Sequence, residues 1–477
     1  MFLRQIHDES LAQYAYIIGC QRTGDAIVID PERDIDRYLE IARDNDLRIT
    51  AVAETHIHAD FVSGSRQFLD TQSGVTAYLS DEGDADWKYE WAKGRSDVQL
   101  VKHGDQIRIG GIQITAVHTP GHTPEHISFR IEDQGGGANQ PIAMATGDFV
   151  FVGDVGRPDL LESAAGHAGA MEPSARRLYQ SIADFRDQPD FMQILPGHGA
   201  GSACGKALGA IPITTVGYEL RFNSAIRTAL DDGEDAFVRE ILDGQPEPPV
   251  YFARMKRVNK EGPIVLPALP NPAKLCIEDF TALTNDAKAV VLDTHRDREE
   301  FALAHLRGSL FAPLGGSGFS AVAGSYIEED QDIYLLVSNQ QMLDEAIRQL
   351  VRIGLDNIKG WAIADEVLGK TAEMTHTPHE ETSKLSLAIS NRPSAMVLDV
   401  RTAAEHATGN LPGSKNIAYT RLAAHLDELP LDRPIFVHCA SGQRASYAAA
   451  YLERNGYDVV YFDGGIEVPA SADTRAA

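Results

Sequence analysis

Short runs of β-branched and apolar residues punctuate the first half of the chain at 26–30, 49–54, 112–118, 127–131, 142–146 and 191–195. Helix-like stretches separate them, and this alternation predicts an α/β fold. Seven of the 23 prolines then fall between residues 243 and 274, a density that suppresses helix and central strand alike and predicts an extended linker. Beyond it, one order of elements occurs twice. AVVLDTHRDREEFALAHLRGSL (289–310), IYLLV (333–337), MLDEAIRQLVRIGL (342–355) and KGWA (359–362) are echoed by AMVLDVRTAAEHATGNLPGSKNI (395–417), PIFVHC (434–439), RASYAAAYLERNGY (444–457) and DGGI (463–466). Each copy reads strand, Asp/Arg turn, strand, amphipathic helix and glycine turn or its remnant, which predicts an internal repeat of roughly 100 residues. The predicted domains are 1–242, 275–375 and 376–477, with the linker at 243–274.

Composition narrows the function classes. The chain has 477 residues, of which 43% are hydrophobic, enough for each module to bury a core. Asp and Glu number 69 against 43 Lys and Arg, and the net charge of −26 repels nucleic-acid phosphates and anionic membrane surfaces. No apolar run approaches the ~20 residues of a membrane span, and the first residues lack the basic and apolar regions of a signal peptide. The expectation is a soluble, cytoplasmic protein that binds neither nucleic acid nor membrane. Four cysteines, Cys20, Cys204, Cys276 and Cys439, form no CxxC pair and no disulfide framework, so each is judged singly.

Nine of the sixteen histidines precede residue 200, several of them at strand ends. In AVAETHIHADF, His56, His58 and Asp60 alternate as the chain leaves a strand, so their side chains enter one space. His122 stands in the Pro/Gly turn HTPGHTPEH, Asp148 follows a strand in ATGDFVF, and His198 follows another in ILPGHG. Any one of these histidines alone reads as an ordinary surface or hydrogen-bonded residue. Four such segments in succession point to a metal site at the strand ends of an α/β domain.

This order of motifs resembles the metallo-β-lactamase superfamily over about residues 1–240, which implies an αββα sandwich with metal at the edge of two sheets. Two-metal members such as glyoxalase II carry HxHxDH, whereas here Phe61 follows Asp60 and offers no lone pair to a second ion. Two histidines and one carboxylate, His56, His122 and Asp148, then make a facial triad suited to one non-haem Fe(II) per chain. His58, Asp60 and His198 become orienting or substrate-facing groups. The stretch ETHIHADFVSGSRQF resembles the persulfide dioxygenases, and PGHGAGSACGK with GYELRFN resembles their fusions with rhodanese domains. Cys204, six residues after His198, is a candidate to line the metal cavity, and Arg221, Lys206 and Arg157 are candidate anion contacts.

In VHCASGQRAS, Cys439 lies between an apolar strand and a helix, where the loop amides of Ala440, Ser441, Gly442 and Gln443, the helix N-terminus and Arg444 favour a thiolate or persulfide anion. This loop resembles the active rhodanese domain, with Asp399 and Arg401 matching its DxR element and Leu411-Pro412-Gly413 its HIPG element; Asn410 replaces the usual histidine. The middle segment resembles rhodanese through LDTHRDREEF and HLRGS, yet carries Ser338 or Asn339 where the cysteine belongs, which predicts a catalytically silent spacer or docking domain.

The resemblances together imply an αββα metallo-β-lactamase sandwich followed by two doubly wound rhodanese-like domains. They imply an iron persulfide dioxygenase and sulfurtransferase acting in sulfide detoxification on a low-molecular-weight thiol persulfide, O₂ and sulfite or thiosulfate, as a homo-oligomer. A glyoxalase II-type thioester hydrolase and a non-catalytic persulfide sensor or carrier are the alternatives.

Overall fold

A computed structural model describes residues 1–163, 169–294, 297–316 and 318–465. His295 and Arg296 of the middle Asp/Arg turn, Ile466 of the DGGI turn and the remainder of the last predicted domain lie outside the described residues. The chain divides into two compact units: Met1–Gln245 with Phe252–Ala268 and Val351–Gly354, and Pro246–Tyr251 with Leu269–Leu350 and Leu355–Ala477. No helix among the described residues is long and apolar enough to cross a membrane.

The first unit is built on two six-stranded sheets. One runs in chain order through Phe2–Asp8, Gln13–Cys20, Asp25–Ile29, Arg48–Ala53, Thr76–Ser80 and Val98–Val101. The other is ordered Thr214–Thr215, Gln193–Pro196, Ala143–Gly147, Ile127–Glu132, Ile112–His118, Gln106–Ile109. Successive strand residues point to opposite faces, so neighbours feed different cores. Ile17 and Val28 pack with Tyr38 and Phe68 of the outer helices, while Ile18 and Ile27 face Ile114, Phe129 and Leu195 of the opposite sheet. Met144 and Ile194 meet Leu178, Ile182 and Phe237 of the helices on the far side. Three apolar layers therefore alternate with four structural ones, the expected αββα sandwich.

The proline-rich segment departs from the sequence expectation. Rather than an extended linker, it contains the helix Tyr251–Glu261. Its prolines stand outside that helix, at Pro249 before it and Pro263 after it, where they cost no intrahelical hydrogen bond. Phe252, Met255 and Asn259 are buried on one face at helical spacing, and Phe252–Ala268 folds as part of the first unit.

The second unit holds two five-stranded sheets of identical topology. One is ordered Ala273–Lys274, Ile358–Ile363, Asp332–Val337, Ala289–Asp293, Leu310–Phe311; the other is His379–Glu381, Val459–Asp463, Ile435–His438, Met396–Asp399, Lys415–Asn416. Every pairing within them is parallel. The repeat seen in sequence is thus a repeat of strand order. Ser338 and Asn339 follow Asp332–Val337 as Cys439 follows Ile435–His438.

Candidate metal centre and cysteine loop

His56, His122 and Asp148 converge from three separate turns, are all buried, and bring their ligand atoms within 4.8 Å of one another. Hydrogen bonding leaves each with one lone pair facing the others. The single hydroxyl hydrogen of Thr55 is donated to Asp30 Oδ2 (2.9 Å), so its oxygen accepts from His56 Nδ1–H (2.9 Å) and frees His56 Nε2. His122 Nδ1 donates to the Arg157 carbonyl at 3.0 Å, which frees Nε2 at 3.5 Å from Asp148 Oδ2. Asp148 Oδ2 is buried and has no hydrogen-bond partner. Burial holds His56 well below the usual imidazole range and lowers His122 as well, so both are neutral donors. Burial opposes ionisation of Asp148, but His198, His122 and His56 hold its carboxyl well below the usual range. Two neutral imidazoles and an ionised carboxylate with unshared lone pairs fit a divalent cation.

The surrounding residues fix this geometry. His198 donates from Nδ1 to Asp148 Oδ1 (2.8 Å) and from Nε2 to Asp60 Oδ2 (2.7 Å). Burial would favour its neutral form, but the two carboxylates, Asp148 foremost, raise it well above its usual value, making it an imidazolium bridge. The approach is tight enough that a Cβ on Gly197 would fall 2.6 Å from Asp148 Oδ1, so the PGHG turn requires glycine there. His58 turns away from the triad. Burial depresses it, but Asp30 at 3.1 Å, with Asp60 and Glu54, lifts it to about 9. Phe61, its ring 4.3 Å from that of His58, is fully buried.

Cys204 joins Asp60 and His198 in a second buried group whose ligand atoms also lie within 4.8 Å. Burial, with Asp148 and Asp60 adding to it, pushes the Cys204 thiol well above its usual range. Both nitrogens of His198 are already donating to carboxylates, so this second group lacks the free imidazole lone pair that the first possesses.

In the second unit, Cys439 is buried at the end of Ile435–His438 and its Sγ accepts from the Gly442 N–H at 3.1 Å. Gly442 adopts φ +88°, the left-handed conformation that turns its N–H back toward the sulfur. Gln443 begins the helix Gln443–Arg454, while Ala440 and Ser441 complete the loop. Arg444 is turned toward Glu405, which it grips through both carboxylate oxygens at 2.5 and 2.7 Å. Arg401 likewise clasps Asp399 at the end of the adjacent strand, at 2.6 Å for its shortest bond.

Comparison with known proteins gives this arrangement a lineage. The metallo-β-lactamase superfamily model matches residues 10–198, and the rhodanese-like domain model matches residues 382–470. A solved metallo-β-lactamase from Staphylococcus aureus subsp. aureus COL is 37% identical with a TM-score of 0.67, covering 76% of this chain and 99% of that one. The chain belongs to the metallo-β-lactamase superfamily. Curated relatives of its metallo-β-lactamase domain include the mitochondrial persulfide dioxygenase ETHE1 of Bos taurus, 29% identical over 35% of this chain and 59% of its own length. A hydroxyacylglutathione hydrolase-like protein of Homo sapiens is 28% identical over 39% of this chain and 55% of its own. The chain thus spans under two thirds of the length of these relatives.

Within the metallo-β-lactamase domain, the candidate residues His56, His58, Asp60, His122, Asp148, His198 and Cys204 are brought together, with His58 facing Asp30 rather than the triad. The three candidate anion contacts have other engagements. Arg221 is largely exposed beside Asp190 (3.4 Å), and Lys206 Nζ caps the carbonyls of Glu240 and Asp243. Arg157 is buried in a fork with Asp159 and donates to the Ala203 carbonyl, so it braces the Cys204 loop.

Three residues escaped the sequence reading. Thr55 and Asp30 orient His56, and Asp30 comes from a strand end that no motif marks. Asn259, from the helix inside the proline-rich segment, donates to the carbonyls of His58 and Phe61 (2.8 and 2.7 Å) and accepts from Ser63 N (2.9 Å). Its only sequence signal is a polar residue on the apolar face of a short helix.

Proposed function

We propose that the protein is a mononuclear non-haem iron persulfide dioxygenase joined to a rhodanese-type sulfurtransferase, working in sulfide detoxification. The observation that carries this reading is the set of three unshared lone pairs, on His56, His122 and Asp148, beside a second group whose imidazole has none to offer. A 2-His-1-carboxylate face leaves positions open on one ion, the arrangement of non-haem Fe(II) oxygenases. Fe(II) held there would supply the redox chemistry for RSSH + O₂ + H₂O → RSH + SO₃²⁻ + 2H⁺. Around it the chain's own groups hold charge in place. The His198 imidazolium fixes Asp60 and Asp148, and Thr55 and the Arg157 carbonyl set the two histidine tautomers. Cys439, with the Gly442 N–H on its sulfur, would carry sulfane sulfur to sulfite, giving thiosulfate, or in the reverse direction.

The middle segment would be a rhodanese-like module without its nucleophile, Cys204 would border the substrate cavity, and the assembly would be a cytoplasmic homo-oligomer. Anaerobically purified protein is expected to hold about one iron per chain and to take up O₂ only with a thiol persulfide. Zinc in its place, no O₂ uptake and rapid hydrolysis of S-lactoylglutathione would establish the thioester hydrolase instead.

A further inference from the structure

The middle segment has no cysteine at the loop position, where Ser338 and Asn339 stand, yet one of its side chains reaches the cysteine loop of the last module. Asp297 caps the helix Arg298–Leu303 by accepting from the N–H groups of Glu299 and Glu300, which fixes the position of Arg298 as its first residue. Arg298 Nε donates to Asp463 Oδ1 at 2.8 Å, and Nη1 donates to Gln443 Oε1 at 3.3 Å. Asp463 Oδ1 also accepts from Gly464 N at 2.9 Å and lies so close against Gly442 that a Cβ there would come within 1.8 Å of it. Gly442 is the residue whose N–H meets Cys439 Sγ, and Gln443 is the next along the chain. The two ends of one guanidinium therefore hold the backing of the sulfur's donor and the start of the helix behind it.

Packing holds the helix Gln443–Arg454 against the middle segment. Tyr326 stacks on Tyr451 with centroids 4.0 Å apart, and Phe311 lies against Tyr447 at 5.7 Å. Gly318 sits so near the Tyr447 hydroxyl that a Cβ on it would be 2.6 Å away. The Tyr447 phenol is raised by burial, lowered by Gln443 and Arg298, and raised by charge on Cys439, which places Arg298 and the sulfur in the field of one ring.

Charge gives this contact a use. Sulfur loading from thiosulfate brings a dianion to a thiolate. The S–S bond of thiosulfate breaks, a new S–S bond forms at Cys439, and sulfite leaves with the electron pair, so three negative charges stand before the step and three after it. The chain as a whole carries −26. Arg444 cannot offset this alone, because both oxygens of Glu405 already face it. Arg298 meets one carboxylate oxygen and one neutral amide, its side chain is 31% exposed, and its Nη2 makes no hydrogen bond among the described residues.

We propose that Arg298 is a positioning and specificity-determining residue of the Cys439 site, so that the module lacking the loop cysteine supplies the cation that orders the loop and selects anionic sulfur donors. This rests on the sulfur-transfer reading of Cys439. The test uses the full chain as Arg298→Ala and Arg298→Lys, with exposed Glu300→Ala as a control on the same helix. Two readouts are followed: the pH profile of Cys439 alkylation by iodoacetamide, with exposed Cys276 as internal reference, and KM against kcat for thiosulfate with cyanide as acceptor.

For Arg298→Ala, KM for thiosulfate is expected to rise about tenfold with kcat changed less than about threefold. The alkylation midpoint should move up by about 0.5–1 unit. Arg298→Lys should recover most of the KM but not the midpoint, since an ammonium lacks the fork that spans Asp463 and Gln443. Unchanged KM and unchanged profile in Arg298→Ala, or the same shifts in Glu300→Ala, would overturn the proposal. Wild-type protein that takes no sulfur from thiosulfate would overturn the sulfur-transfer reading instead, and the alkylation profile alone would then decide the role of Arg298.

Discussion

Arg444 and Glu405 face each other through two hydrogen bonds of 2.5 and 2.7 Å, so the arginine nearest the cysteine in sequence is committed to a carboxylate. The Arg444 hydrogen bonds, with the Thr402 amide and hydroxyl behind them, pull Glu405 down to about 2. A carboxyl depressed on folding contributes stability that is present above its ordinary value and is lost as pH falls toward the depressed one. The pair is partly solvent-screened, so Glu405→Gln should lower the melting temperature of the last module by only about 1–3 °C at pH 7. That difference should shrink steadily between pH 4.5 and pH 2, and thermal unfolding of both proteins across this range checks it.

The metal triad and the cysteine loop should fail independently. If the proposed function holds, His56→Ala removes one of the three candidate ligands and should abolish both iron retention and persulfide-dependent O₂ uptake, while Cys439 still accepts sulfur. Cys439→Ser should do the reverse. Iron analysis, O₂ uptake and intact-mass detection of the Cys439 persulfide on the two variants check this, and loss of both activities in either variant would contradict it.

Thr55→Val keeps shape but removes the hydroxyl that accepts from His56 Nδ1–H and donates to Asp30. Partners of this kind set ligand tautomer and orientation, so metal affinity should fall about 10–100-fold. Competition with a chelator of known affinity measures it, with circular dichroism confirming that the fold persists.

Asn259→Ala should be among the more damaging changes outside the triad. It leaves two buried carbonyls and one amide, those of Phe61, His58 and Ser63, without their partner, at about 1–3 kcal/mol for each unsatisfied group before relaxation. Unfolding of the first unit should shift to lower denaturant, with any metal held by the triad lost before the global transition.

What the sequence disclosed and what it concealed divide along a physical line. HxHxD, PGHT, TGD and PGHG were readable because a strand end followed by a tight turn leaves a chemical trace in consecutive residues. The repeat in the second unit was readable because parallel strands buried on both faces are continuous apolar runs, as in IYLLV and PIFVHC. Asp30, Asn259 and Arg298 were hidden because each acts across 25 to 201 residues of chain and has no partner nearby in sequence. The helix Tyr251–Glu261 was hidden by its own punctuation, since the prolines that argued against helix bracket it instead.

The placement of Asn259 has a practical meaning for dissecting the molecule. A chain cut after residue 242, where the alternating α/β pattern ends, would retain every candidate metal ligand and still lose the side chain that ties His58, Phe61 and Ser63 together. Such a fragment should aggregate or bind metal weakly and would misrepresent the metal affinity of the full chain. A fragment extended through Ala268 regains that side chain but still lacks Val351–Gly354, whose Arg352 carbonyl accepts from Val62 N at 2.6 Å and whose guanidinium holds the buried Asp8 and Asp34, so the self-sufficient piece is not one continuous stretch of chain.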